Sequence, residues 1–173
     1  MFRALAVALP VVGCQGADTS KAKPTAPIEV LDATKSVIAR LVPGHPCRAN
    51  IEGVEMLVGG PPIVAQLGAD RFTGAKAENG TTFSKNDQQV ARIHAKQLFG
   101  PDGIPIIRVM DNGDIADKSN ALLRKAVAGP NNVAIGDLTI TGTTDIVLAA
   151  MLSAKEVLPE VRALVACNYL LEQ

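Results

Sequence analysis

The chain breaks in composition at Pro27, and that break confines the folding problem to the residues beyond it. Residues 15 to 27 include Gly16, Asp18, Thr19, Ser20, Lys21, Lys23, Pro24, Thr25 and Pro27, and apart from the two prolines hold nothing apolar larger than alanine. Such a stretch cannot bury enough surface to offset the entropy of ordering itself, so it reads as a linker. Ahead of it, Met1-Phe2-Arg3 supplies one cation, Ala4 to Val12 is apolar apart from Pro10, and the run closes on Val11-Val12-Gly13-Cys14. The division is therefore a signal segment over 1–13, a flexible linker over 14–27, and one globular domain over 28–173.

Val11-Val12-Gly13-Cys14 resembles the signal of bacterial lipoproteins. The resemblance implies cleavage before Cys14 and transfer of a diacylglycerol to its thiol, which would make Cys14 a lipidation site and tether the domain to a membrane of the cell envelope. Gln15, where an aspartate would hold an enteric lipoprotein at the inner membrane, implies the outer membrane. The other reading of the same residues is an apolar N-terminal helix with Cys14 as a small buried side chain. No later run reaches the length of a membrane-spanning helix, because Ile146 to Leu152 is soon interrupted by Lys155 and Glu156.

Charge and aromatic content exclude several partners. Lys+Arg 17 against Asp+Glu 17 leaves no electrostatic excess to draw the chain to nucleic acid. Aromatic residues make up 3%, with no Trp and one Tyr, so stacking platforms for single-stranded nucleic acid, sugars or quaternary cations are scarce. The partners left are a membrane, reached through the lipid anchor, and another protein.

With Cys14 lipidated, Cys47 and Cys167 remain as a pair. In an oxidising compartment they can form a disulfide that closes a long loop; in the cytosol they would be two unpaired buried thiols. His45, Cys47, His94 and Cys167 do not make a zinc set, because His45-Pro46-Cys47 has neither ribbon spacing nor a matching second pair. No metal or other cofactor is expected.

The domain reads as α+β, a small mixed sheet packed by about four or five helices. Val30, Leu31, Thr34, Val37, Ile38 and Leu41 recur at helical spacing over 28–41. Residues 47–67 alternate as two or three short strands, and 68–80 read as turn and edge structure. Ser84 and Asp87 form a variant capping box for a helix carrying Val90, Ile93 and Leu98, ended by Gly100-Pro101. Ile104 to Met110 is the strongest strand, with Ile107 and Val109 on one face, Arg108 on the other, and a type I′ turn at Asn112-Gly113. Residues 117–128 return to helix. Val133 to Ile140 is either a hairpin about Gly136-Asp137 or one bulged strand. Thr143 or Thr144 caps a closing helical region in which Pro159 either starts a new helix or kinks the old one, and Leu164, Cys167 and Leu171 share a face that points Cys167 inward.

The run Gly103-Ile104-Pro105-Ile106-Ile107-Arg108-Val109-Met110-Asp111-Asn112-Gly113-Asp114 resembles the thioredoxin-like family, in which a Gly-Ile-Pro step with a cis proline leads into a strand and an Asn-Gly turn. Ala95 to Gly100 then resembles the helix end that precedes it. The chain has no Cys-x-x-Cys, so the resemblance implies a fold without its redox site. Asp111, Asn112, Asp114 and Asp117 lack the remaining ligands of a calcium loop, and Gly59-Gly60-Pro61-Pro62 lacks the Lys-Ser/Thr of a phosphate loop, so both read as turns. No catalytic residue is identified, since no nucleophile and base are readable as a group. The expected function is a lipid-anchored envelope protein with a non-catalytic protein-binding or structural role; the alternative is a thioredoxin-like domain without the Cys-x-x-Cys site.

Overall fold

The computed structural model describes residues 26–172. Cys14, the expected lipidation site, and residues 1–13, expected as a signal segment, lie outside the described residues. The remainder is not α+β. Fourteen antiparallel strands follow one another up and down and close into a barrel, with two helices at the C-terminal end of the chain. The strands are β1 (Ile28–Leu31), β2 (Val37–Val42), β3 (Cys47–Ile51), β4 (Val54–Gly59), β5 (Ile63–Leu67), β6 (Asp70–Ala77), β7 (Gly80–Lys85), β8 (Gln88–His94), β9 (Gln97–Phe99), β10 (Pro105–Val109), β11 (Asp114–Ala116), β12 (Leu122–Ala128), β13 (Asn132–Ile135) and β14 (Leu138–Thr141). The helices are α1 (Ile146–Ser153) and α2 (Pro159–Leu171). Every strand pairs with its neighbours in sequence, and the register of Val30 against Ile140 joins first strand to last, so the sheet has no free edge.

Three expected helices are strands, and each shows how a hairpin can imitate helical spacing. Within 28–41, Ile28 and Val30 face inward on β1, and Ala39 and Leu41 face inward on β2. Between them Asp32 accepts hydrogen bonds from the amides of Thr34 and Ser36, and Lys35 adopts a φ of 64°. Two period-2 runs separated by that tight turn put apolar residues three and four apart. At the expected capping box, Asn86 and Asp87 both have positive φ, 50° and 66°, and make the two-residue loop that joins Lys85 to Gln88. That is the type I′ geometry favoured by the twist of a hairpin. The segment 117–128 is a loop capped by the Asp117 carboxylate, which accepts from the amides of Ser119 and Ala121, followed by β12.

Ala95 to Gly100, the helix end implied by the thioredoxin-like resemblance, is a turn and β9, so that fold is not the one adopted. The segment 68–80, expected as turn and edge structure, contains the eight-residue strand β6. The short strands within 47–67, the strand beginning near Ile104, the two-residue hairpin at Gly136-Asp137 and the two closing helices all stand where the residue pattern puts them. The turn after β10 differs in kind. Gly113 donates to the Met110 carbonyl at 3.0 Å and Met110 donates to Asp114 at 2.8 Å, a three-residue loop in which Gly113 alone takes positive φ. A side chain at Gly113 would meet the Ala126 carbonyl at 2.5 Å, so the position needs glycine on two counts.

Over most of its strands the wall alternates. Ile51, Met56, Val58, Phe72, Phe83, Ala91, Ile107, Val133 and Ile140 are buried, while Arg40, Arg48, Glu55, Gln66, Arg71 and Lys125 are exposed on the opposite face. The outer face mixes charged side chains with exposed Leu57, Val64, Leu122 and Val127 on strands of three to eight residues, short of the apolar outer band and the strands of about 9–11 residues that a lipid-facing barrel needs. No helix among the described residues is long and apolar enough to cross a membrane.

The inside is filled by helix. Side chains alone fill a barrel of about eight strands, and a wider one leaves a lumen. Here α1 and α2 occupy it. In α1 every residue after Ile146 is buried, and in α2 everything from Val161 to Asn168 is buried, so neither helix has a solvent face. With the outer wall exposed, the only place that covers a helix on all sides is the lumen. There α2 packs on β3, β4 and β8, and α1 on β10, β12 and β13. Buried alanines at 149, 150, 163 and 166 keep the helices slim enough to share the space.

Candidate functional site at the upper rim of the barrel

Strand order gives the barrel two different ends. The upper rim carries the start of β1, the end of β14 and the loops that leave β2, β4, β6, β8, β10 and β12. From there α1 runs down the lumen, the chain turns through residues 154–158 at the lower rim, and α2 climbs back, so that Glu172 emerges again at the top.

The lower end is closed by arginine. Arg162, 3% exposed, donates to the Leu152 carbonyl at 3.2 Å and pairs with Glu52 at 2.8 Å. Arg124 donates to the Ser153 carbonyl at 2.6 Å and pairs with Glu156. Both cations thus meet carbonyls at the last turn of α1, where a helix presents unpaired acceptors and partial negative charge. Just outside, Lys85 and Asp70 pair at 2.8 Å. The Lys85 ammonium, and then the Asn86 amide, hold the Asp70 carboxyl below its ordinary range; Asp70 raises Lys85 in return.

The upper end is stapled rather than filled. Cys47 opens β3, Cys167 stands in the last turns of α2, and the two are joined by a disulfide with their Cα atoms 5.8 Å apart. The inward direction expected for Cys167 is the observed one. The bond fastens the central helix to the wall over a sequence separation of 120. Nearby, Asp145 caps α1, not Thr143 or Thr144. Its carboxylate accepts from the amides of Val147 and Leu148, at 2.9 and 3.2 Å, and from the Tyr169 hydroxyl at 3.1 Å, tying the top of α1 to α2. Thr143 instead accepts from the Asp145 amide.

Beside the disulfide lies a cavity of about 610 Å³ between the end of α2 and the wall of β5 to β7. Pro61, Pro62, Ile63 and Leu171 give it apolar sides; Asn168, Thr81, Lys76 and Glu172 give it polar ones. The alternation that turns Phe72 and Gly74 inward puts Lys76 on the same face, where it is exposed at the rim beside the opening. Thr81 donates to Glu172 at 3.4 Å, and Lys76 lies 3.6 Å from the same carboxylate oxygen. Gly60 lets the loop close on α2, because a Cβ there would meet Ile63 and Leu171 at 2.9 Å. Asn168, 2% exposed, has a side-chain NH₂ with no acceptor among the described residues.

The other residues singled out in the sequence do not converge. His45 and His94 are exposed, and the sulfurs of Cys47 and Cys167 are consumed by their bond. Among the described residues no group of three or more His, Cys, Asp or Glu side chains could hold a metal ion. The acidic cluster is divided. Asp111, whose carboxyl is held low by the Lys96 ammonium 2.5 Å away, and Asp114, bonded to Asn112, belong to the β10–β11 turn, whereas Asp117 caps a loop at the opposite end. Gly59-Gly60-Pro61-Pro62 is the expected turn, and it supplies part of the cavity wall. Asn168, Thr81 and Lys76 carry no motif; Asn168, polar within the otherwise apolar run from Ala163 to Leu171, was the available signal. A second depression, of about 710 Å³, lies on the outer wall between Arg40, Arg48, Glu55 and Leu57.

Compared with protein-family models, with curated proteins and with solved structures, the chain matches none of them.

Proposed function

We propose that this chain is a lipid-anchored protein of the bacterial cell envelope, in which the barrel is a non-catalytic module that binds another protein or holds a place in an envelope assembly. The observation that carries the reading is the Cys47–Cys167 bond. A disulfide between the wall and the central helix persists in an oxidising compartment and is rare in the cytosol. The Val11-Val12-Gly13-Cys14 signal and the linker behind it supply the address, and the linker leads to Ile28 at the upper rim. A closed barrel offers no strand edge for β-augmentation, so a protein partner has to be met by side chains of the outer wall or the rims.

The test is the intact mass and detergent partitioning of the full chain made in its native host. A chain beginning at Cys14 and carrying a diacylglycerol is expected, and Cys14→Ser should remain uncleaved and leave the detergent phase. If wild type and variant both retain Met1 and partition alike, the anchor is abandoned.

A further inference from the structure

We infer that the cavity at the upper rim is a binding site for an aliphatic acyl group whose carbonyl oxygen accepts a hydrogen bond from Asn168. The inference stands independently of the lipid anchor.

Asn168 is the reason to look there. An amide NH₂ buried without an acceptor is costly, and a leucine of similar size in the same helix would avoid the cost. Buried polar groups are satisfied in nearly all native proteins, and Asn168 is one of the residues that line the cavity, so its orphaned NH₂ points to an acceptor supplied from outside. The rest of the cavity says what that acceptor is attached to. Pro61, Pro62, Ile63 and Leu171 offer no hydrogen bonds from their side chains and favour an aliphatic body. A volume of about 610 Å³ lies within the usual range for small-molecule sites.

Charge at the mouth is balanced, because Lys76 and Thr81 both already face the Glu172 carboxylate. A neutral ester can therefore enter without leaving a charge unpaired. A free acid can enter by competing with Glu172 for Lys76. The acyl carbonyl is common to both, and a free fatty acid and the ester of a membrane lipid are its two sources.

The experiment titrates the ¹⁵N-labelled full chain with decanoic acid and with methyl decanoate, each kept below its aggregation threshold. The readout is the side-chain NH₂ signal of Asn168, assigned by its loss in Asn168→Leu. Saturable shifts of that signal are expected, and Asn168→Leu should weaken binding by about tenfold or more while leaving the strand amides in place. Leu171→Gln, which makes the apolar wall polar at a half-buried position, should weaken both probes as well; it carries the test if Asn168→Leu fails to fold. Binding of the ester alone identifies a lipid ester as the source, and binding of the acid alone a free fatty acid. Absence of any shift with either probe, or affinities indifferent to both substitutions, overturns the inference.

Discussion

The two ends of the barrel solve the same problem by opposite means. At the lower end buried charge is matched. Arg162 has a carboxylate and a helix carbonyl, with its Nε alone lacking an acceptor, Arg124 has the same kinds of partner, and the turn from α1 to α2 is sealed by them. At the upper end the buried Asp145 carboxylate is matched too, but the Asn168 amide is left open beside a cavity, and a covalent bond holds the helix in place. An end that is filled by its own side chains has no room for anything else. An end secured by one disulfide can keep a cavity without losing the helix that forms its wall. The difference separates a structural end from a candidate binding end within one fold.

Removing the staple should have the largest effect. On the loop-entropy account, a bond closing a loop of this separation stabilises by about 5 kcal/mol, so reduction or Cys167→Ala should lower the urea midpoint accordingly. Amide exchange should report the loss first in α2 and in the adjoining β3 and β4. An unchanged midpoint would mean that the upper end is held by packing alone, and the contrast between the ends would disappear.

At the lower end the expected effect is asymmetric. Glu52→Gln leaves the Arg162 guanidinium buried without its carboxylate and should cost about 3 kcal/mol. Arg162→Met removes the buried charge itself and leaves behind a Glu52 side chain that is already 43% exposed, so it should cost less. Equal losses in denaturation would show that Arg162 acts by packing rather than by charge. At the other end Asn168→Leu should be neutral or slightly stabilising, because no internal partner is lost with it.

The smallest effect concerns pH. Asp70 is held low by Lys85, so its contribution is complete above the unfolded-state value of about 4 and is lost as pH falls through the lower folded value. Lys85 is raised, so its contribution is complete below its unfolded value and fades only as alkaline pH passes the folded one. Asp70→Asn should therefore flatten the acid limb of a melting-temperature profile while changing neutral pH little, as expected of an exposed pair. An acid limb as steep as in wild type would move the titrating group elsewhere, with Asp111 and Asp117 the next carboxylates to substitute.

Much of the local grammar was legible and its assembly was not. Asp137 after Gly136, the branched aliphatics from Ile104, and Pro159 at the first turn of α2 announce their elements through chemistry that acts within a few residues. The failures share one cause. Val30, Ile38 and Leu41 are spaced in ways a helix satisfies, and only the turn at Asp32 and Lys35 reveals that the spacing is two strands folded back. Ala126 is the single buried residue of β12, so that strand had no alternation to display. Barrel closure is set by the pairing of β1 with β14, elements at opposite ends of the sheet's sequence, and no window along the chain contains both. The pair Cys47 and Cys167 was accessible by elimination, whereas Asn168 became a candidate only when the wall around it was known.

Chain direction adds an ordering in time. Because α1 and α2 are written last, a chain emerging N-terminus first delivers all fourteen strands before the material that fills them. A tube of this width without its contents would expose Phe72, Phe83, Leu98 and Ile107 to water, so the wall has no stable form of its own at that moment. Closure has to wait for the two helices, and a ribosome or translocation pore that releases the chain gradually would see it collapse into the barrel only at the end.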